Sequence, residues 1–229
     1  IPFHAADPDA APLSLRVTGA GIADAGGSAP DRLPAAGLDP LHARLRAWEG
    51  AEGAALMRFP SADRGTRPGL RSALDVPEVG DLVSYSVGIS CTVPDLRTGR
   101  VEAVSDHAII VADVENPAGL TAADYQQFAT AFDGLVHPVV VEHFGEPTDV
   151  DGNGRAIIFY TRAVNELAGP AEDVFTAGFF WSGDLFPEEE TPRAEACPAA
   201  NQAEIFYMLA ADPTGIAGPT YSADFIRQT

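Results

Sequence analysis

The sequence predicts an α+β fold, and three observations carry the prediction. Short β-branched runs lie between Gly80 and Val114, a capped amphipathic helix opens at Thr121, and apolar strands return after Gly154. Residues 1–38 come first and are rich in Ala, Gly, Pro and Asp. They make a poor core builder and are expected to form an extended arm, with one short strand at Leu13–Val17. Residues 39–79 hold a helix and a linker. Asp39 is placed to cap that helix, Pro40 suits its first position, and Leu41, Leu45 and Trp48 share a face that leaves His42 in solvent.

Residues 80–116 predict an antiparallel β-meander built from DLVSYSVGISCTV, RVEAV and HAIIVADV, with turns at PDLRTG and NPAG. Residues 117–229 form the remaining lobe. Its helix starts with a capping-box pattern, Thr121 to Asp124. The apolar stripe continues through Tyr125, Phe128, Ala129, Phe132, Leu135, Val136, Val139, Val140 and Phe144. Gly134 and Pro138 are expected to kink it into two pieces. Strands AIIFYT, FTAGFFW and AEIFYML follow, and Ser222 is placed to cap a last helix.

The composition excludes several classes of function. The 33 acidic residues outweigh the 14 basic ones, every one of them arginine, for a net charge of −19. Such a field disfavours nucleic acid and anionic membrane surfaces as partners. No run approaches the roughly 18 apolar residues of a spanning helix. The chain starts at Ile1 and not at methionine, as expected of a processed start or of part of a longer protein. Cys91 and Cys197 are the two cysteines, and they suit either one disulfide or two buried thiols. A disulfide fits an oxidising, extracytoplasmic compartment, periplasmic or secreted.

The residues with most chemical potential sit in DVDGNG. Asp149, Asp151 and Asn153, with Gly154, match the first half of a calcium loop, in which alternate oxygen side chains converge on a hard cation. The twelfth position is Tyr160 where a bidentate glutamate belongs, and a strand follows instead of a helix. A turn held by Asp and Asn side-chain bonds explains the same residues. Glu142, His143 and Glu146 are taken as a surface cluster, and His107 as satisfying a backbone group. Ser182 lacks the rest of a nucleophile elbow. The aromatics from Phe175 to Trp181 are expected to pack the sheet.

Taken together, His107 to Leu167, then GFFWSGDLF and NQAEIFYMLAADPTG, resemble the hyicolysin-like family of secreted bacterial zinc metallopeptidases, within the thermolysin-like zincin group. The resemblance runs from about Gly80 to the end and is most specific at Phe144–Asn165 and Asn201–Met208. It implies a zincin-like mixed-sheet lobe, an Asp-rich turn feeding a strand, and a later edge strand along a substrate cleft. It also implies a His-Glu-x-x-His zinc motif just beyond Tyr221–Thr229, so no catalytic residue carries over. What carries over is scaffold, with Asp149, Asp151, Asn153 and Gly154 forming the turn. No cofactor is fixed: calcium at that turn stays open beside a turn held by side-chain bonds alone, and zinc enters only where a further segment supplies the site. Two functions follow. One is an exported metallopeptidase-like module without a zinc centre, acting as a structural or protein-binding subunit whose arm reaches across a protein partner. The other is the N-terminal part of an active secreted zinc endopeptidase.

Overall fold

The computed structural model describes residues 40–56, 76–167, 176–191 and 196–228. The expected arm at 1–38, with its strand at Leu13–Val17, and most of the linker after the first helix lie outside the described residues. The architecture is α+β. A six-stranded sheet runs in the order β1-β2-β3-β4-β6-β5, with β1 at Leu82–Ser86, β2 at Leu96–Val104 and β3 at Ala108–Asp113. The other strands are β4 at Ala156–Thr161, β5 at Gly178–Phe180 and β6 at Ile205–Leu209.

β1, β2 and β3 pair antiparallel as the expected meander. β3, β4 and β6 are parallel, and β5 returns antiparallel at the edge. The meander and the later lobe therefore share one sheet. Both central strands, AIIVAD and AIIFYT, are buried along their whole length. That explains why they are continuous apolar runs and do not alternate, because both faces are covered.

PDLRTG is not the turn its composition predicts. Strand β2 begins at Leu96 and already contains Gly99. A Cβ at Gly99 would sit 2.3 Å from Val111 Cγ1 and 2.9 Å from Phe159 Cε2, so this glycine serves close packing inside the sheet. A bulge at Glu102 then shifts the β2–β3 register between Val101 and Ala103.

The parallel β3–β4 step needs a crossover, which the helices supply. Helix α1 at Pro40–Leu56 comes earlier and buries Leu41, while His42 is exposed as expected. In the crossover, α2 spans Ala122–Ala131 and α3 spans His137–Phe144, joined by a π-helical turn at Phe132–Val136. The Thr121–Asp124 capping box forms as the sequence predicts. Asp124 also takes a two-pronged ion pair from Arg227, at 2.7 and 3.0 Å, which holds its carboxyl well below the usual range. Arg227 closes the short helix α5, Ala223–Ile226, which Ser222 caps. Helix α4 is a single turn, Arg162–Asn165.

The helix divides in two where Gly134 and Pro138 predict a break, at the π turn, but the apolar stripe does not stay buried. Tyr125 and Ala129 face the core, whereas Leu135 is 66% and Phe144 71% exposed. The wider π turn holds an extra residue, and each residue advances a helix by about 100°, so the later side chains rotate off the core. His107 also departs from expectation: its ring stacks on His137 at 3.8 Å and lies 3.5 Å from Asp133.

A polar network joins β1 to β6. The buried Asp184 carboxylate accepts from the Asn201 backbone N–H at 3.1 Å, from Asn201 Nδ2 at 2.8 Å and from the Tyr207 hydroxyl at 2.6 Å. Asn201 Nδ2 and the Tyr207 hydroxyl also reach the Ser86 carbonyl, at 2.8 and 2.9 Å. These residues give the Asn201–Met208 segment a physical reason for its composition, since each supplies a donor or acceptor that a buried neighbour needs. Cys91 and Cys197 are disulfide-bonded and close a separation of 106 residues.

Candidate metal centre

The α3–β4 loop starts after Gly145 and is built for a tight reversal. Asp149 has φ 49°, and Gly152 and Gly154 have φ 74° and 69°, conformations that Asp tolerates and Gly prefers. Asp149 Oδ1 accepts the Gly154 N–H at 2.9 Å, and Asp151 Oδ1 accepts the Asn153 N–H at 3.1 Å. Asn153 donates Nδ2 to Asp151 Oδ2 at 2.6 Å and accepts the Arg155 N–H at 2.6 Å through its own oxygen. Asn153 is thus engaged within the turn. Arg155 directs Nε and Nη1 to the carbonyls of Ser105 and Asn153, at 2.7 and 2.9 Å.

The residue that sequence reasoning missed is Glu204. It lies immediately before β6, and its carbonyl accepts the Ile157 N–H of β4 at 2.8 Å. Parallel pairing of β4 with β6 therefore carries it to the base of the loop. The residue is 7% exposed. Oε1 accepts from the Thr148 hydroxyl and, at 2.9 Å, from the Val150 N–H. Oε2 is buried with no hydrogen-bond partner.

Asp149, Asp151 and Glu204 each place a carboxylate oxygen within 4.8 Å of the other two. Burial is the main cause that pushes the Asp151 carboxyl up to about 6, and the charges of Glu204 and Asp149 add to it. Among the described residues this group is all-carboxylate and suits a hard, oxygen-seeking cation. It does not fit zinc, whose protein sites are built largely on His nitrogen and Cys sulfur. The stacked His107 and His137 join no three-ligand group among the described residues.

No local signal marks Glu204, because nothing in the intervening segments fixes how far the chain travels before returning. Glu188, Glu189 and Glu190, which lie between β5 and β6, do not belong to this cluster. The surface reading of His143 and Glu146 agrees with their exposure, and Glu146 lies 4.0 Å from His137 Nε2.

No family model matches the chain. It is similar to the neutral metalloprotease ShpI of Staphylococcus hyicus, at 30% identity over 89 residues, which cover 39% of this chain and 18% of that protein. The similarity supports a metallopeptidase-like relationship, and the chain matches a minor part of that relative's length. No helix among the described residues is long and apolar enough to cross a membrane.

Proposed function

We propose that the chain is an exported, zincin-like lobe that holds an extended polypeptide along strand β5 and contributes no zinc chemistry of its own. The observation that carries this reading is the geometry of the sheet edge. Among the described residues β5 is the terminal strand, and it runs antiparallel to β6. Leu209 N–H donates to the Ala177 carbonyl, so alternation makes Phe179–Tyr207 the next hydrogen-bonded pair. Gly178 and Phe180 then turn their N–H and C=O groups away from β6, as strand addition requires.

Side-chain features beside β5 support the same reading. Phe180 meets Phe206 at 5.5 Å, and Phe206 is 42% exposed, which leaves an aromatic pair at the edge. On the other face Phe179 stacks on Tyr207 at 4.8 Å. It also helps line a cavity of about 180 Å³ with Val87, Ile89, Val164 and Leu167. An extended segment that adds to the edge gains backbone bonds from β5 and apolar contact from these side chains. The disulfide suits the extracytoplasmic location.

The name and greater length of the similar metalloprotease favour a second reading, in which this lobe stands beside a zinc-bearing His-Glu-x-x-His segment beyond Thr229. The peptide-holding role of β5 is common to both readings.

Amide hydrogen exchange with casein, an unfolded polypeptide, tests the role of β5. The expected result is slower exchange at Gly178 and Phe180, with exchange across β1, the opposite edge, unchanged. Casein that fails to bind, or that binds without protecting these two amides, overturns the proposal.

A further inference from the structure

We infer that Asp149, Asp151 and Glu204 form a calcium site that clamps the α3–β4 loop to the start of β6. The cluster gains its meaning from Glu204 Oε2, a buried carboxylate oxygen with no hydrogen-bond partner. A buried ionised oxygen left unpaired costs several kcal/mol in real proteins. The neighbouring groups do not relieve it. Thr148 and Val150 are both bonded to Oε1, and Arg155 donates Nε and Nη1 to backbone carbonyls. A cation between the three carboxylates supplies the missing partner and offsets their mutual repulsion.

The spacing admits calcium. Oxygens around calcium lie 2.3–2.6 Å from it, so two on opposite sides stand up to about 5 Å apart. Around magnesium, at 2.0–2.1 Å, the limit is about 4.2 Å. One oxygen of each carboxylate lies within 4.8 Å of the other two, inside the range that calcium accommodates. The donors are all oxygen, as calcium requires. Asn153 supplies no ligand in this arrangement, because its amide is bonded to Asp151 and Arg155. The twelfth position of a sequential calcium loop is therefore replaced by a glutamate from another strand. Bound calcium would fix the loop's conformation and its attachment to the β4–β6 pair.

The test uses the metal-stripped 229-residue chain, titrated with calcium chloride by calorimetry and followed by thermal unfolding. One calcium per chain is expected. At a hundred times Kd, Tm should rise by about 5–10 °C. Glu204→Gln keeps an acceptor for Thr148 and Val150 but removes a ligand charge. It should weaken binding at least about tenfold, which is 1.4 kcal/mol, without lowering the metal-free Tm. Should Glu204→Gln fail to fold, Asp151→Asn is read in its place and should lose the calcium response equally. Magnesium at the same concentration should give a smaller Tm rise. The inference is overturned if calcium neither binds nor moves Tm. It is also overturned if the substituted chain binds calcium as tightly as the parent, or if magnesium matches calcium.

Discussion

Replacing Cys91 and Cys197 together by alanine is expected to lower unfolding free energy by about 3–5 kcal/mol, from the chain entropy that a loop of this length returns to the unfolded state. The bridge joins the loop after β1 to the segment before β6, across 106 residues of sequence. Most of the sheet is assembled between its ends, since β2 to β5 lie between them. Cys197 is fully buried, and the surrounding backbone is bonded independently of sulfur. Cys197 N–H donates to Pro187 O at 2.7 Å, and Ala199 N–H donates to Cys91 O at 3.1 Å. The paired substitution should therefore leave the folded structure in place and act on the unfolded chain. Domains have a total stability of about 5–15 kcal/mol, so the loss is a large fraction of the whole. Urea unfolding checks it, and the denaturant slope should rise as the released chain exposes more surface. An unchanged midpoint with an unchanged slope would show that the bridge constrains nothing the fold does not already hold.

The second large effect concerns Asp184. Burial pushes its carboxyl from 3.8 up to about 6, against hydrogen bonds from Tyr207 and Asn201 that favour the charged form. Between those values the folded chain binds more protons than the unfolded one. Stability therefore falls as pH rises through that window. The contribution of Asp184 amounts to ~2 kcal/mol between pH 4 and pH 7. Tyr207 stays neutral throughout, because burial raises its phenol well above the ordinary value. Protonated Asp184 can donate to the Tyr207 oxygen while the Tyr207 hydroxyl donates to Ser86, so the network is satisfied in that state too.

Asp184→Asn fixes the neutral form, with the amide nitrogen as donor to Tyr207. Its stability relative to the parent should improve by ~2 kcal/mol on going from pH 4 to pH 7. The comparison cancels groups with the opposite sense. Asp124 is one of these, since its carboxyl is held low by Arg227 and its contribution is lost as pH falls. Urea unfolding of both chains across this range, at fixed calcium, is the measurement. A constant difference between them would place the Asp184 titration outside the window.

The outcome across the molecule separates local from distant determinants. The Thr121–Asp124 capping box, the Ser222 cap, the division of the helix near Gly134 and the apolar runs of β3 and β4 are set by residues adjacent in sequence, and each is legible there. Features settled by chains meeting from afar are not. Gly99 looks like part of a turn until Val111 and Phe159 come against it. Leu135 and Phe144 look like core until the π turn rotates them outward. In the candidate metal centre, Asp149 and Asp151 stand out in DVDGNG. Glu204 is bonded to Val150 from 54 residues away and stands out only once β4 and β6 are paired. The Asp184–Asn201–Tyr207 network is hidden for the same reason.

Casein hydrolysis by the purified 229-residue chain, supplied with zinc and assayed with and without EDTA, tests the proposed role most directly. A lobe that holds polypeptide without zinc chemistry should leave casein uncut under both conditions. Cleavage that depends on stoichiometric zinc and stops with EDTA would contradict it, and would make this chain itself the hydrolytic centre.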